Sequence, residues 1–217
     1  MAISNKIRKR IAPFMKSRGF SRSGQNHYYY VANSIAFCIT LETPTGLTYV
    51  TAYIMPLYIP CEFRYLTYGN RLNHIKDIKL PLLDKDSDED TIDAWCKLLC
   101  NSIDQYIIPF FKKIETADKL LAFSYTYRFS PDSYIVCNKL DVLRLRMFTF
   151  LYVGDPVNTA SVITRYREAL GSTSYLFDSV IQMLDEEINM VALLLQEKNL
   201  AKEFFASVEI NIRKILQ

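Results

Sequence analysis

The sequence is short of the residues on which most catalytic and phosphate-binding motifs depend. Its 217 residues include only six glycines and two histidines. A phosphate cradle needs clustered glycines that bring backbone N–H groups close to the ligand, and no glycine cluster is present. A Gly-x-Ser-x-Gly elbow is also missing, so nucleophilic catalysis would have to rely on His27 or His74. We therefore predict no catalytic residue and no cofactor.

Membrane, disulfide and metal signals are equally sparse. No apolar run approaches the roughly 20 residues of a membrane span, and the longest, residues 49–61, is broken by Pro56 and Pro60. The N-terminus does not resemble a signal peptide. Cys96 and Cys100 lie one helical turn apart and could chelate a metal, but core packing explains them better. The five cysteines follow no disulfide or zinc spacing, so we expect reduced thiols, no metal, no membrane association and a cytoplasmic location: Cys38, Cys61, Cys96, Cys100 and Cys137.

Positive charge is concentrated near the N-terminus. Residues 1–41 carry seven Lys or Arg and no acid, whereas residues 42–217 carry 19 basic and 23 acidic residues. A basic end favours an anionic partner, and Tyr28 to Tyr30 follow it as possible stacking groups for bases. The charges are spread around the predicted first helix, however, and Tyr28 and Tyr30 are needed for a core. We therefore interpret the basic residues as a solvated face and predict no nucleic-acid binding.

Aromatic and other apolar residues are abundant, with 15 Tyr and 13 Phe among the half of the chain that is hydrophobic. Alternation over residues 35–42, the turn signal of residues 43–46 and renewed alternation over 47–55 predict two antiparallel strands. Asn33 and Ser34 form a plausible two-residue hairpin after an aromatic strand. If both registers hold, one face of this meander is buried and consists of Tyr28, Tyr30, Ile35, Phe37, Ile39, Leu41, Val50, Ala52 and Ile54.

The same registers define the opposite face of the meander. Tyrosine offers a large apolar area with a polar tip, which suits a partner surface; alternatively, C-terminal helices cover this face. The predicted members of the face are His27, Tyr29, Val31, Cys38, Thr40, Tyr49, Thr51 and Tyr53. From this face and the basic residues near it we select six candidate binding residues: Arg22, His27, Tyr29, Tyr49, Tyr53 and Arg71.

Helical periodicity accounts for most of the remaining chain. We predict a helix over residues 5–17, with Pro13 causing a kink or a short first segment and Gly19 acting as its C-terminal cap. The acids between Asp84 and Asp90 match part of a calcium loop but lack its Gly and bidentate Glu, so they indicate a helix start instead. That helix covers residues 91–107, and Pro109 should end or kink it.

The region from Leu120 to Leu151 fits more than one interpretation. Tyr125, Tyr127 and Phe129 alternate as in a strand, residues 130–132 are typical of a helix start, and residues 139–153 fit either a helix or a strand; we choose a helix. Further helices are predicted over residues 158–170, 174–198 and 201–216. The fold class is therefore α+β. We expect a single domain over 1–217, with a helix and meander in 1–80 and a mostly helical part in 88–217.

Several short motifs resemble a bacterial family known only as a domain of unknown function. The resemblance lies in the predicted first helix, the Lys-Ser-Arg-Gly-Phe segment at 16–20, Arg22, Gly24 and the aromatic strand at 28–30. Trp95 and the Ile-Ile-Pro-Phe-Phe segment at 107–111 are similar as well. The resemblance implies no catalytic residues. It implies a protein-binding role, because relatives of such domains often lie among toxin–immunity loci.

Two functional hypotheses follow. The first is a soluble bacterial protein-interaction module, immunity-like in its specific form, which binds an unidentified protein through the tyrosine-bearing face. The second is a small-molecule hydrolase or transferase of unrecognised type, which requires a pocket where His27 or His74 meets an acid.

Overall fold

The computed structural model describes residues 3–62, 64, 66–126, 133–173 and 176–217. The fold is α+β, with an N-terminal helix, an antiparallel meander and several C-terminal helices, as predicted. The chain divides into two compact units. The sheet unit comprises Met1–Pro56, Arg64–Val136 and Leu216–Gln217, and the helical unit comprises Leu57–Phe63 and Cys137–Ile215. Helices between residues 88 and 126 therefore belong with the sheet rather than with the later helices.

Among the described residues, six strands form the sheet of the first unit. They are β1 (Ser21–Ser23), β2 (His27–Ala32), β3 (Ile35–Glu42), β4 (Leu47–Pro56), β5 (Gly69–Arg71) and β6 (Leu83–Asp84). The first five pair antiparallel in chain order, and β6 pairs with β4. Tyr28 lies opposite Ile39, and Ile39 lies opposite Ala52, so the predicted register of the meander is confirmed.

Both predicted turns of the meander are confirmed. Asn33 has φ +53 between β2 and β3, and Gly46 has φ +85 before β4. Asn33 tolerates this left-handed backbone. Its side chain also donates to the Glu115 carbonyl at 2.8 Å, which fixes the tip of the hairpin. The strand face carrying Ile35, Phe37 and their neighbours is buried, and we call it the core face.

Helix α1 (Ile3–Ser17) buries Ile3, Ile7, Ile11 and Met15. It runs without a break through Pro13, so the predicted short first segment is wrong. Gly19 caps the helix as predicted, with φ +81. The Phe20 and Gly19 amides donate to the Met15 and Lys16 carbonyls, each at 3.0 Å, in the Schellman arrangement that satisfies carbonyls at a helix end.

The next helical segment passes through Pro109 without ending there. Helix α2 (Glu89–Ser102) continues into a π-helical turn (Ile103–Ile107) and then into α3 (Ile108–Lys113). The wider π turn accommodates a proline ring that would clash with the preceding turn of an α-helix. The acidic run does mark the helix start, because the Asp88 carboxylate accepts from the Thr91 amide at 2.7 Å.

The ambiguous middle region is helical where the structure describes it. Helix α4 (Ala117–Thr126) contains Tyr125, so its assignment to a strand is wrong; three alternating residues are too few to fix a period. The rest of that predicted strand and the predicted helix start fall on residues 127–132. These lie outside the described residues. Helix α5 (Lys139–Val153) confirms the choice of a helix, since Asn138 and Asp141 form a capping box before it.

Three more helices complete the helical unit, as predicted: α6 (Pro156–Gly171), α7 (Asp178–Gln196) and α8 (Lys198–Leu216). A partly buried ion pair joins α5 to α7. The Arg144 guanidinium donates to both carboxylate oxygens of Glu187, at 2.7 and 2.5 Å, and also to the Pro60 carbonyl at 2.9 Å. Among the described helices, none is both long enough and apolar enough for a membrane crossing.

Candidate functional site

The second face of the sheet, here called the polar face, carries a row of polar side chains across five strands. The pairings place His27 opposite Thr40, Thr40 opposite Thr51, and Thr51 opposite Arg71, while Ser23 lies opposite His27. Directly opposed residues on one face have Cβ atoms about 5 Å apart. The polar face thus joins a basic edge at β5 to an imidazole and a hydroxyl at β2 and β1.

A directed chain of hydrogen bonds begins at His27. The His27 Nδ1 lies 2.6 Å from Thr40 Oγ1, and the Thr40 hydroxyl donates to the Tyr53 hydroxyl at 3.3 Å. Tyr53 is in turn hydrogen-bonded to the Cys38 thiol. Because Thr40 has a single proton and gives it to Tyr53, Nδ1 of His27 must be the donor. The neutral imidazole therefore keeps Nε2 as an acceptor.

Burial sets the proton affinities of these groups. It lowers the pKa of His27 below 6.5, and the nearby positive charge of Arg64 lowers it further. The same burial raises the pKa of the Cys38 thiol to about 12 and that of Tyr53 well above its usual value of 10. The face therefore offers a neutral imidazole, a neutral phenol and an unreactive thiol near neutral pH.

Arg64 and Thr51 add two features that the sequence did not reveal. Arg64 donates to the hydroxyl of Ser23, which is 1 % exposed. The Thr51 hydroxyl is buried and has no hydrogen-bond partner among the described residues. A buried hydroxyl without a partner is unfavourable, and this one lies between Thr40 and Arg71 in the row.

The exposed part of the polar face is its rim. The Arg71 guanidinium carbon lies 4.2 Å from the centroid of the Tyr49 ring, a cation–π contact. His27, Tyr29, Tyr49 and Arg71 are all partly exposed. Tyr53, at the centre, is only 1 % exposed. A partner can therefore reach the rim residues directly, whereas Tyr53 serves to hold them in place.

Five of the six predicted binding residues share the polar face. Arg22 is the exception, because it lies opposite Tyr28 and so belongs to the core face. Its charge acts on Tyr28: burial raises the pKa of the Tyr28 hydroxyl, and the positive charges of Arg22 and Arg8 offset part of that rise. Sequence reasoning missed Ser23 and Arg64 as site residues, since the first belongs to a three-residue strand and the second to a loop.

The other chemical groups singled out from the sequence are not gathered into a site. His74 is exposed in a 3₁₀ turn, Leu72–His74. Cys96 is buried and Cys100 is half-buried on α2. All five cysteines are free thiols. Within the described ranges, no group of three or more His, Cys, Asp or Glu could hold a metal ion.

The basic residues of α1 pair with acids of the α2 segment. Lys6 lies 2.6 Å from Glu89, Arg10 pairs with Glu89 and Asp93, and Arg18 donates two hydrogen bonds to Asp104 at 2.7 and 2.6 Å. These contacts offset charge that would otherwise face solvent. They weaken the case for a phosphate-binding surface, because a few unpaired cations contribute little affinity at physiological salt.

Comparison with models of protein families, with curated proteins and with solved structures gives no match to this chain.

Proposed function

We propose that this protein is a protein-interaction module whose binding surface includes the rim of the polar face. The contact between Arg71 and Tyr49 carries the proposal. Arginine and tyrosine are enriched among the residues that dominate binding energy at interfaces, and here the two are stacked and partly exposed. Stacking holds the guanidinium in place before a partner arrives, which reduces the side-chain entropy lost on binding.

The charges of the polar face define the partner's chemistry. Arg71 and Arg64 supply two cations, and Glu42, opposite Tyr49, supplies one acid. A partner segment that presents carboxylates next to apolar groups complements this arrangement. The specific form of the proposal is an immunity-like role for a bacterial cytoplasmic protein, in which the partner is a toxin encoded by an adjacent gene. No family model matches the chain, so the immunity-like role rests on the short sequence motifs alone, and the five free thiols support the location.

Co-purification with the products of adjacent genes tests the proposal. The tagged chain should retain one such product, and the double variant Tyr49→Ala/Arg71→Ala should lose it. The control is Phe177→Ala/Arg165→Ala, which removes the same kinds of side chain from exposed positions on the helical unit. Recovery of chaperones alone, or equal retention by both double variants, would contradict the proposal.

A hydrolase or transferase is the second candidate, and one observation favours it. The hydrogen bond to Thr40 orients His27 and leaves Nε2 as an acceptor for a proton. The required acid is not supplied, because the Thr40 hydroxyl is the only hydrogen-bond partner of the His27 imidazole among the described residues. A panel of acyl and phosphate nitrophenyl esters tests this candidate: turnover should disappear in His27→Gln and persist in His74→Gln. Turnover that survives in His27→Gln would rule out this role for His27.

A further inference from the structure

The helical unit contains a pocket that the protein-binding proposal does not use. Its volume is about 300 Å³, and it lies among the end of α5, the start of α6, the end of α7 and the start of α8. Pockets that bind small molecules range from about 300 to 1,000 Å³. This one, here called the helical pocket, is therefore large enough for a small ligand and too small for a protein segment of any length.

The wall of the helical pocket is apolar and already in place. Leu151, Leu194 and Leu195 form part of it, together with the rings of Tyr152 and Phe205. These two rings meet edge to face, with centroids 5.3 Å apart, and Tyr152 also stacks on Tyr58 at 4.3 Å. Since aromatic contacts on two sides hold Tyr152, the wall need not rearrange to receive an apolar ligand.

Positive charge dominates at the lining of the helical pocket. Lys198 and Lys202 lie one turn apart on α8, are exposed, and form no ion pair within the described part of the chain. The single acid of the lining, Asp155, is already engaged at the start of α6. Its carboxylate accepts from the Asn158 amide at 3.0 Å and from the Asn158 side chain at 2.6 Å. Both lysines therefore remain available to an anion.

We propose that the helical pocket binds a small amphipathic carboxylate, such as a medium-chain fatty acid. The hydrocarbon part lies against Leu194, Tyr152 and Phe205, and the carboxylate lies between Lys198 and Lys202. This arrangement removes apolar surface from water while the charged head stays at the exposed rim. The charge complementarity selects an anion over a neutral or cationic molecule of the same length. The proposal concerns a different unit from the polar face and does not depend on it.

Calorimetric titration with octanoate, 1-octanol and octylammonium tests the proposal. Octanoate should bind about fivefold more tightly than 1-octanol, a difference of about 1 kcal/mol, as expected for exposed charge pairs. Octylammonium should bind most weakly. In Lys198→Gln/Lys202→Gln, octanoate should bind only as well as 1-octanol. The control Lys139→Gln/Lys214→Gln removes two exposed lysines outside the lining and should keep the wild-type preference.

A blocking variant locates the binding. Ala201→Phe places a ring in the lining of the pocket and should abolish binding of octanoate and 1-octanol alike. The lysine variants change only exposed side chains, so the charge test stands even if Ala201→Phe fails to fold. Three results would overturn the proposal: no octanoate binding at millimolar concentration, equal affinity for octanoate and octylammonium, or unchanged binding in the folded Ala201→Phe protein.

Discussion

Replacing Gly69 with alanine tests the close contact between β5 and β4 that positions Arg71 on the polar face. Gly69 lies opposite Tyr53. A Cβ at position 69 would lie 2.7 Å from the Tyr53 Cα and closer still to the Tyr53 Cβ and the Ala52 carbonyl oxygen, whereas ordinary contacts begin at 3.4 Å. Because atoms of the β4 backbone are among those that clash, β5 must move away from β4.

The size of the effect follows from the contacts that this movement disturbs. Overpacking costs about 1–3 kcal/mol. Two backbone bonds also weaken, from the Ile54 amide to the Tyr68 carbonyl and from the Val136 amide to the Gly69 carbonyl, both 3.0 Å; each contributes about 1 kcal/mol. We expect the free energy of unfolding to fall by about 3 kcal/mol. With an m-value near 2 kcal/mol per molar, the urea midpoint should fall by about 1.5 M.

Urea unfolding followed by tryptophan fluorescence measures this effect. Trp95 is the single tryptophan, is 3 % exposed and lies in the sheet unit, so its emission reports on that unit. Gly171→Ala is the matched control, because an added Cβ there meets nothing within 4 Å. Followed by circular dichroism, it should raise stability by about 0.5–1 kcal/mol. A Gly69→Ala midpoint within about 0.3 M of wild type would refute the reasoning.

Four further predictions concern single groups and the basic surface. Glu187→Ala should lower the free energy of unfolding by about 2 kcal/mol because it removes the carboxylate that faces the partly buried Arg144 guanidinium. Arg144→Met/Glu187→Leu should recover most of this loss in urea titrations. Because the pKa of His27 is lowered from 6.5 in the folded protein, the unfolded chain binds more protons as the pH drops through 6.5. The free energy of unfolding should therefore fall over this range, and it should fall less in the His27→Gln variant. In the native protein, iodoacetamide should modify Cys38, which is 1 % exposed, more slowly than the half-buried Cys61. Mass spectrometry measures both rates, and the difference between them should disappear in urea. Labelled oligonucleotides should bind weakly in anisotropy titrations and be released near 0.15 M salt; micromolar binding that persists at that concentration would contradict the ion-pair argument.

The sequence predicts the centre of the sheet well and its edges poorly. Strands β3 and β4 are eight and ten residues long, and their turns contain residues suited to unusual backbone angles. These signals fix which side chains share a face. Strands β1 and β5 have three residues each and carry no such signal. Because a shift of one residue exchanges the two faces, Arg22 could not be separated from Ser23 before the pairing of β1 with β2 was known.

Long-range contacts explain the other differences. The exceptions are the π turn before Pro109 and the helical state of Tyr125, which form by local backbone hydrogen bonds that the spacing of apolar residues does not predict. Arg64 reaches Ser23 across 41 positions of the chain, so no spacing rule could connect them. The helical pocket likewise forms where the ends of four helices meet. The elements were predictable because they depend on local patterns, whereas the sites depend on how those elements pack.

The dissociation constant of the partner complex tests the central claim most directly. Measured for the wild type, for Tyr49→Ala/Arg71→Ala and for the control Phe177→Ala/Arg165→Ala, it isolates the rim of the polar face. Loss of two hot-spot residues should weaken binding by at least about 30-fold, equal to about 2 kcal/mol, while the control binds as the wild type does. A rim variant that binds within about twofold of the wild type would contradict the account.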